Sequence, residues 1–435
     1  MGTTIGDVFA DKLTWNGDPT FSSTGDKLVD LLFFAESFKE GKNGARKAAE
    51  DASDVLRTPF GYLFSMFIRD PRFGLGYREY GKILESVAGV TMDDMVLCGR
   101  YDDVLDGKSL RDAVMFLYEK IKAGDNLAKK WMPRTTSSNK VLASKVRKIL
   151  GMSKQEYNRF IKTETVERLL TEKRVDEIDF SHVPSLASVK YARRFQKPDM
   201  VKRYTEYLSD VKSGKAKLNT AVTTVYDIYR NRDKIDADLF FNNIEKISLN
   251  CIPIIDTSGS MSMDDNIGKA ISIGHYLSMC SSYMPGKAIT FSETPGLVDF
   301  TKDASTYNEQ VKNIFSMNWG MSTNLKAVMD LLSQCDEFPE YIIILSDMEF
   351  NMGSSTGIRE FEDYLKKIGS TTKLIWWNFN TMDKCAPEKV GNGNIFMSGY
   401  SPMLLDFLNS GFDGKSFLKS LVCGYAEKIG RKFET

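Results

Sequence analysis

The chain has 435 residues, 42% hydrophobic and 27% charged, with 58 Lys+Arg balancing 58 Asp+Glu. That length exceeds one ordinary domain and suits two or three, and the composition is that of a soluble globular protein. Six scattered cysteines without a CxxC pair predict reduced core thiols in an intracellular, cytoplasmic protein, and the opening MGTTIGDVF has no cationic, apolar leader; no run nears the roughly 18 apolar residues of a membrane span, so no membrane partner is expected.

In chain order, residues 1–246 repeat apolar positions at three- and four-residue steps, as in KLVDLLFFAESFKEG, GYLFSMFIRD, YREYGKILESVAG, LRDAVMFLYEKIKAG and KQEYNRFIKTETVERLLTEK. Strand-like alternation is nearly absent, so an all-α domain is predicted, either an irregular α-solenoid or a compact helical bundle. From 247 to 435 the pattern changes to short apolar runs (NCIPIID, KAITFS, LVDF, EYIIILSD, TKLIWWNF). Amphipathic stretches alternate with them, with helices expected around Ile267–Tyr283, Tyr307–Phe315, Leu325–Gln334, Ile358–Ile368, Pro402–Leu408 and Lys415–Ile429. This predicts a doubly wound, mostly parallel sheet, whose ligands bind at the carboxyl ends of the strands. From Cys251 onward there are 16 Lys+Arg against 22 Asp+Glu, while the preceding 250 residues hold 42 against 36. A basic first domain and an acidic second one suggest different partners.

The stretch CIPIIDTSGSMSMDD ends a buried-strand pattern in one acid and two serines. Asp256, Ser258 and Ser260, with Thr323 from WGMSTNL and Asp347 from LSDMEF, form an all-oxygen set suited to Mg2+ or Mn2+ with a position open for a ligand. The plainer reading of Ser258 and Ser260 is a helix cap. In order and spacing, these three segments resemble the metal-ion-dependent adhesion site of the von Willebrand factor A domain. There D-x-S-x-S, a Thr and an Asp hold the cation, and the resemblance implies a protein partner that supplies an acidic group. Ser322 stands where that family often has glycine, and it could compete with Thr323.

In the first domain RDPRFGLGYRE, CGRYDDVL, LAKKWMPR, LGMSKQEYNRF and VPSLASVKYARRF resemble a family of unassigned function in phages, giant viruses and plants. Its layout is similar to that of the Ro autoantigen, a helical HEAT-like TROVE module followed by a von Willebrand A domain. This resemblance implies RNA on a basic helical surface. The charge for such a surface is present: 15 basic against 5 acidic residues lie between Lys120 and Arg174, among them Lys129, Lys130, Arg134, Lys140, Lys145, Arg147, Lys148 and Lys154, and Arg193 and Arg194 follow in a second stretch. Trp131, Tyr157 and Tyr191 are interleaved as candidate base-stacking rings; the plainer reading is a solvated helix face with the rings in the core.

Enzymatic motifs are missing. The two GKS triplets lack the upstream glycine of a phosphate-binding loop, where Asp102 and Asn409 stand, and there is no GxSxG or HExxH. His182 and His275 read as structural, and the pairs Asp102/Asp103 and Asp264/Asp265 as helix-start or surface groups. A non-enzymatic RNA-binding protein with a metal-dependent second domain is therefore expected. The alternatives are a protein-interaction or assembly factor, of a virus particle for instance, and a metal-dependent nuclease.

Overall fold

The structure is a computed structural model that describes residues 12–13, 19–20, 27–28, 31–32, 42–107, 109–136, 138–220, 223–320, 324–335, 337–347, 365, 371–379, 395–398 and 414–431. The chain forms two compact units, one from residues 1–41 and 220–424, the other from 42–219 and 425–435. The sequence pattern changes at 246–247, whereas packing divides the chain at 219/220. The helices Val225–Asn231 and Ala237–Asn242 have the periodicity of the first region, but the former packs against the helix Asn266–Cys280 of the sheet unit and the latter against its helix Tyr307–Lys312, with Phe241 also touching His275.

Among the described residues the main sheet of this unit has six strands, β1 (Cys251–Asp256), β2 (Lys287–Phe291), β3 (Gly296–Asp299), β4 (Tyr341–Ser346), β5 (Lys373–Asn378) and β6 (Ile395–Ser398). Their order in the sheet is β3-β2-β1-β4-β5-β6, parallel throughout except for the β2/β3 pair. A separate antiparallel ladder pairs Lys12–Leu13 with Pro19–Thr20, where the helical pattern of residues 1–246 had led to no strand being expected. β6 was not foreseen. The central strands are continuous apolar runs because both faces are covered. Ile252, Ile254, Ile342 and Ile344 pack with Val328 and Leu332 of the helix Leu325–Leu332. On the opposite face lies Asn266–Cys280, which is buried nearly all round. It presses so closely on β1 that a Cβ at Gly274 would meet Ile255 Cδ1 at 2.5 Å. The order reverses between β1 and β4, the switch point where doubly wound sheets open a ligand crevice. Of the helices expected at 358–368 and 402–408, both lie outside the described residues, apart from a single residue.

The described residues of 42–219 form helices and turns with no strand among them. One apolar cluster joins Val114, Leu117, Val146, Tyr157 and Ile161; a second joins Leu169, Phe180, Phe195 and Tyr204. A third element is polar, with Arg69, Glu85, Cys98 and Asp103 all buried. Arg69 donates to Glu85 at 2.5 Å and to Asp103, which also receives Arg78 Nε at 2.8 Å, and Cys98 Sγ lies 3.0 Å from Glu85. A Cβ at either Gly81 or Gly99 would collide with Arg69, so these glycines make room for the guanidinium and its stem. Asp103 is thus no surface acid, as its position in CGRYDDVL had suggested, but the buried partner of two arginines.

The carboxyl end of the chain completes this helical unit. Tyr425, in the last turns of the helix Gly414–Lys428, is buried edge-on to Phe67 at 5.7 Å and donates to Asp70 at 3.3 Å. The five described cysteines are unpaired; Cys98 and Cys251 are buried and Cys335 is exposed. No described helix is long and apolar enough to cross a membrane.

Candidate functional site

Asp256 ends β1 and Asp347 follows β4, so the parallel register that sets Ile255 against Leu345 brings both carboxylates to the switch point. Both are buried. Asp256 Oδ1 accepts the Ser258 amide at 2.9 Å and Oδ2 accepts the Ser346 hydroxyl at 2.6 Å. The Ser258 and Ser260 hydroxyls lie 3.1 Å apart. Ser258 N-caps the 3-10 turn Gly259–Asp265 by position, yet its side chain makes no capping hydrogen bond, so the hydroxyl stays with the carboxylate side of the loop. Thr323, and its neighbour Ser322, lie outside the described residues. The backbone of Ser258 bridges that of Gly320, and Thr257 Oγ1 donates to Asn318 O at 3.1 Å, so the segment 318–320 lies against this loop.

Burial drives the Asp256 carboxyl up to about 6, opposed by the Ser346 and Ser258 hydrogen bonds and reinforced by the charge of Asp347. Among the described residues no lysine or arginine touches Asp256. A buried acid with an acidic neighbour takes up either a proton or a cation. The donors are carboxylate and hydroxyl oxygens without nitrogen or sulfur, which fits a hard divalent ion of the Mg2+ or Mn2+ class and not zinc.

The loop is held at its far end by an interaction that the sequence did not reveal. Asp265 adopts a left-handed conformation, φ 55°, at the start of Asn266–Cys280, and Tyr226 OH donates to its Oδ2 at 2.6 Å. Further along the same helix His275 is enclosed by Phe241, Phe300 and Tyr307, with ring centres 4.9–5.1 Å away, and its Nε2 pairs with Gln310 at 3.0 Å. Burial lowers its pKa to about 4, so it is a neutral core side chain.

The candidate nucleic-acid residues fall into two groups. Several are occupied in holding the helical unit together. Arg134 donates to the carbonyls of Ile161 and Lys130, Arg147 to Met152 O at 3.0 Å, and Arg194 forms two bonds to Asp199. Trp131 is half-buried with the Arg100 guanidinium 3.9 Å over its ring. Tyr157, expected as a stacking ring, is a core residue whose hydroxyl donates to Pro133 O. Lys140, Lys145, Lys148 and Lys154 instead are exposed, and Lys129 and Lys130 half-exposed, and none has an ion-pair partner among the described residues. Arg193 is exposed as well, on the helix Ser185–Phe195. The contrast with Arg174, which is tied to Glu164, Glu172 and Glu177, shows that this helical unit neutralises cations where acids are at hand.

Two family profiles match the chain, both described as domains of unknown function: DUF2828 over residues 108–247 and DUF7788 over residues 250–420. An uncharacterised protein of Acanthamoeba polyphaga mimivirus, L728, is 28% identical over 481 aligned residues, which cover 90% of this chain and 83% of its own. The crystal structure of the Deinococcus radiodurans Ro (RSR) protein aligns over 94% of this chain and 88% of its own at 13% identity, with a TM-score of 0.33.

Proposed function

We propose that the protein is a binding protein and not an enzyme, with two separate ligands. The helical unit holds RNA through the lysines between 129 and 154. The sheet unit, read as a von Willebrand A domain, takes a carboxylate of a protein partner through Mg2+ or Mn2+ held by Asp256, Ser258, Ser260 and Asp347, with Thr323 as a further ligand. The observation that carries the RNA reading is the row of exposed lysines without ion-pair partners among the described residues, since phosphate neutralisation needs cations that are not already engaged. The resemblance motifs themselves support it less directly. Arg69, Asp103, Trp131, Arg134 and Tyr157 all lie in them and all hold the helices together, so those motifs report the fold.

The test is a filter-binding titration of a labelled stem-loop RNA at several salt concentrations. Replacing Lys140, Lys145 and Lys148 by Glu spares Arg147, whose contact to Met152 O is internal. Affinity is expected to fall by about a hundredfold or more at low salt, with a flatter salt slope. Equal affinity and slope would remove the RNA reading and favour a protein-assembly role, and shortening of the RNA on adding Mg2+ would favour the nuclease.

A further inference from the structure

The loops that frame the oxygen site expose apolar side chains to solvent. Met263, three residues past Ser260, is 60% exposed; Phe315 and Trp319, in the loop that leads to Gly320, are 49% and 43% exposed. Their two rings stack at 5.9 Å and 11°. Met317 of the same loop lies over Gly296, and the adjoining Leu297 is 49% exposed. Such a patch beside a ligand site is a surface that a partner covers.

The charges decide which partner. Residues 257–263 and 313–324 contain no ionisable side chain, and the chain from Cys251 onward carries an excess of acids. A nucleic-acid backbone needs a rim of Lys and Arg, which these loops do not provide. A single carboxylate needs only the cation. A large apolar side chain next to it would be desolvated against Phe315 and Trp319, and tryptophan in such a setting contributes much of the binding energy of protein interfaces.

Building on the cation reading above, we propose that the ligand of this site is a protein segment in which one Asp or Glu stands within a residue or two of a large apolar or aromatic side chain. The acid occupies the metal's open position and its neighbour lies on the Phe315–Trp319 pair.

The probe is a random-peptide phage library, panned on the full chain in millimolar Mg2+ and counter-selected on the Asp256→Asn variant. Enriched sequences should share an acid beside an aromatic or long aliphatic residue. A synthetic peptide of that pattern should be released by EDTA and bind the Trp319→Ala protein about tenfold or more weakly. Both rings being largely exposed, Phe315→Ser serves as a second variant, and a thermal melt confirms that each remains folded. Peptide affinity that is unchanged in both ring variants but lost in Asp256→Asn overturns this inference and leaves the cation reading standing. Binding indifferent to EDTA and to Asp256→Asn overturns the cation reading itself. Enrichment of peptides without an acid, no enrichment over the counter-selection, or a loss of RNA affinity in Trp319→Ala with the lysines intact would each overturn the inference; the last would assign the rings to base stacking.

Discussion

The helical unit and the sheet unit both bury acids, and they treat Asp103 and Asp256 in opposite ways. Around Arg69 the acids are answered from within the chain. Hydrogen bonds from Arg78 and the charge and hydrogen bond of Arg69 hold the Asp103 carboxyl below the usual range despite its burial. At the switch point of the sheet Asp256 is met, among the described residues, by hydroxyls and one amide and by no cation, and burial leaves its pKa raised. Charge that is balanced internally serves the fold, whereas charge left without a cation at the mouth of a sheet crevice is suited to an external one.

The largest effect should come from breaking the balanced cluster. Arg69→Met removes the shared cation and leaves Glu85 and Asp103 buried beside each other, so a loss of about 3–5 kcal/mol is expected. Urea unfolding followed by circular dichroism measures it. A loss below about 1 kcal/mol would mean that the cluster is not what holds these helices.

The reverse change at the sheet should have the opposite sign. A carboxyl whose folded pKa, about 6, exceeds its ordinary 3.8 is most stabilising below the lower value, and that contribution is lost as pH rises through 6. Without metal, Asp256→Asn is therefore expected to stabilise the unit at pH 7 by up to about 3 kcal/mol, with little effect at pH 4. Mg2+ should raise the melting temperature of the wild type and not that of the variant. A destabilised variant, or one that still responds to Mg2+, would break the contrast between the two units.

How much of this was legible depended on the range of the interactions. CIPIID and YIIIL could be read as central strands because a strand buried on both faces is apolar at every position, and Asp256 and Asp347 could be placed together because each ends such a strand. The partners of Asp103 could not be foreseen: Arg69 and Arg78 lie 34 and 25 residues away, and local periodicity says nothing about pairing at that distance. Tyr157 looked like a ring among lysines because its neighbours in sequence are polar, while its neighbours in space are Pro133 and the core. The helices 225–242 kept the helical pattern of the first region, and it takes contacts far apart in sequence, Tyr226 to Asp265 and Phe241 to His275 and Tyr307, to show which unit they cover.

Glu85 gives the finest test because it stands between the two cases. It has Arg69 at 2.5 Å, yet burial outweighs that attraction and lifts its carboxyl to about 7. Its sign is then that of Asp256 and not of Asp103: stability is full below the ordinary 4.5, and is lost as pH rises through 7. Glutamine keeps an oxygen for Arg69 Nη1 and turns an amide toward Cys98 Sγ, without the charge that burial opposes. Glu85→Gln should therefore be within about 1 kcal/mol of the wild type at pH 7, and should fall less in stability between pH 5 and 8. Asp103→Asn, which strips a carboxylate that two arginines favour, should cost several times more at every pH in that window. Thermal melts of the three proteins at pH 5, 6, 7 and 8 separate these outcomes. If Glu85→Gln proves as costly as Asp103→Asn, the whole cluster is balanced alike, and incomplete compensation is confined to the sheet.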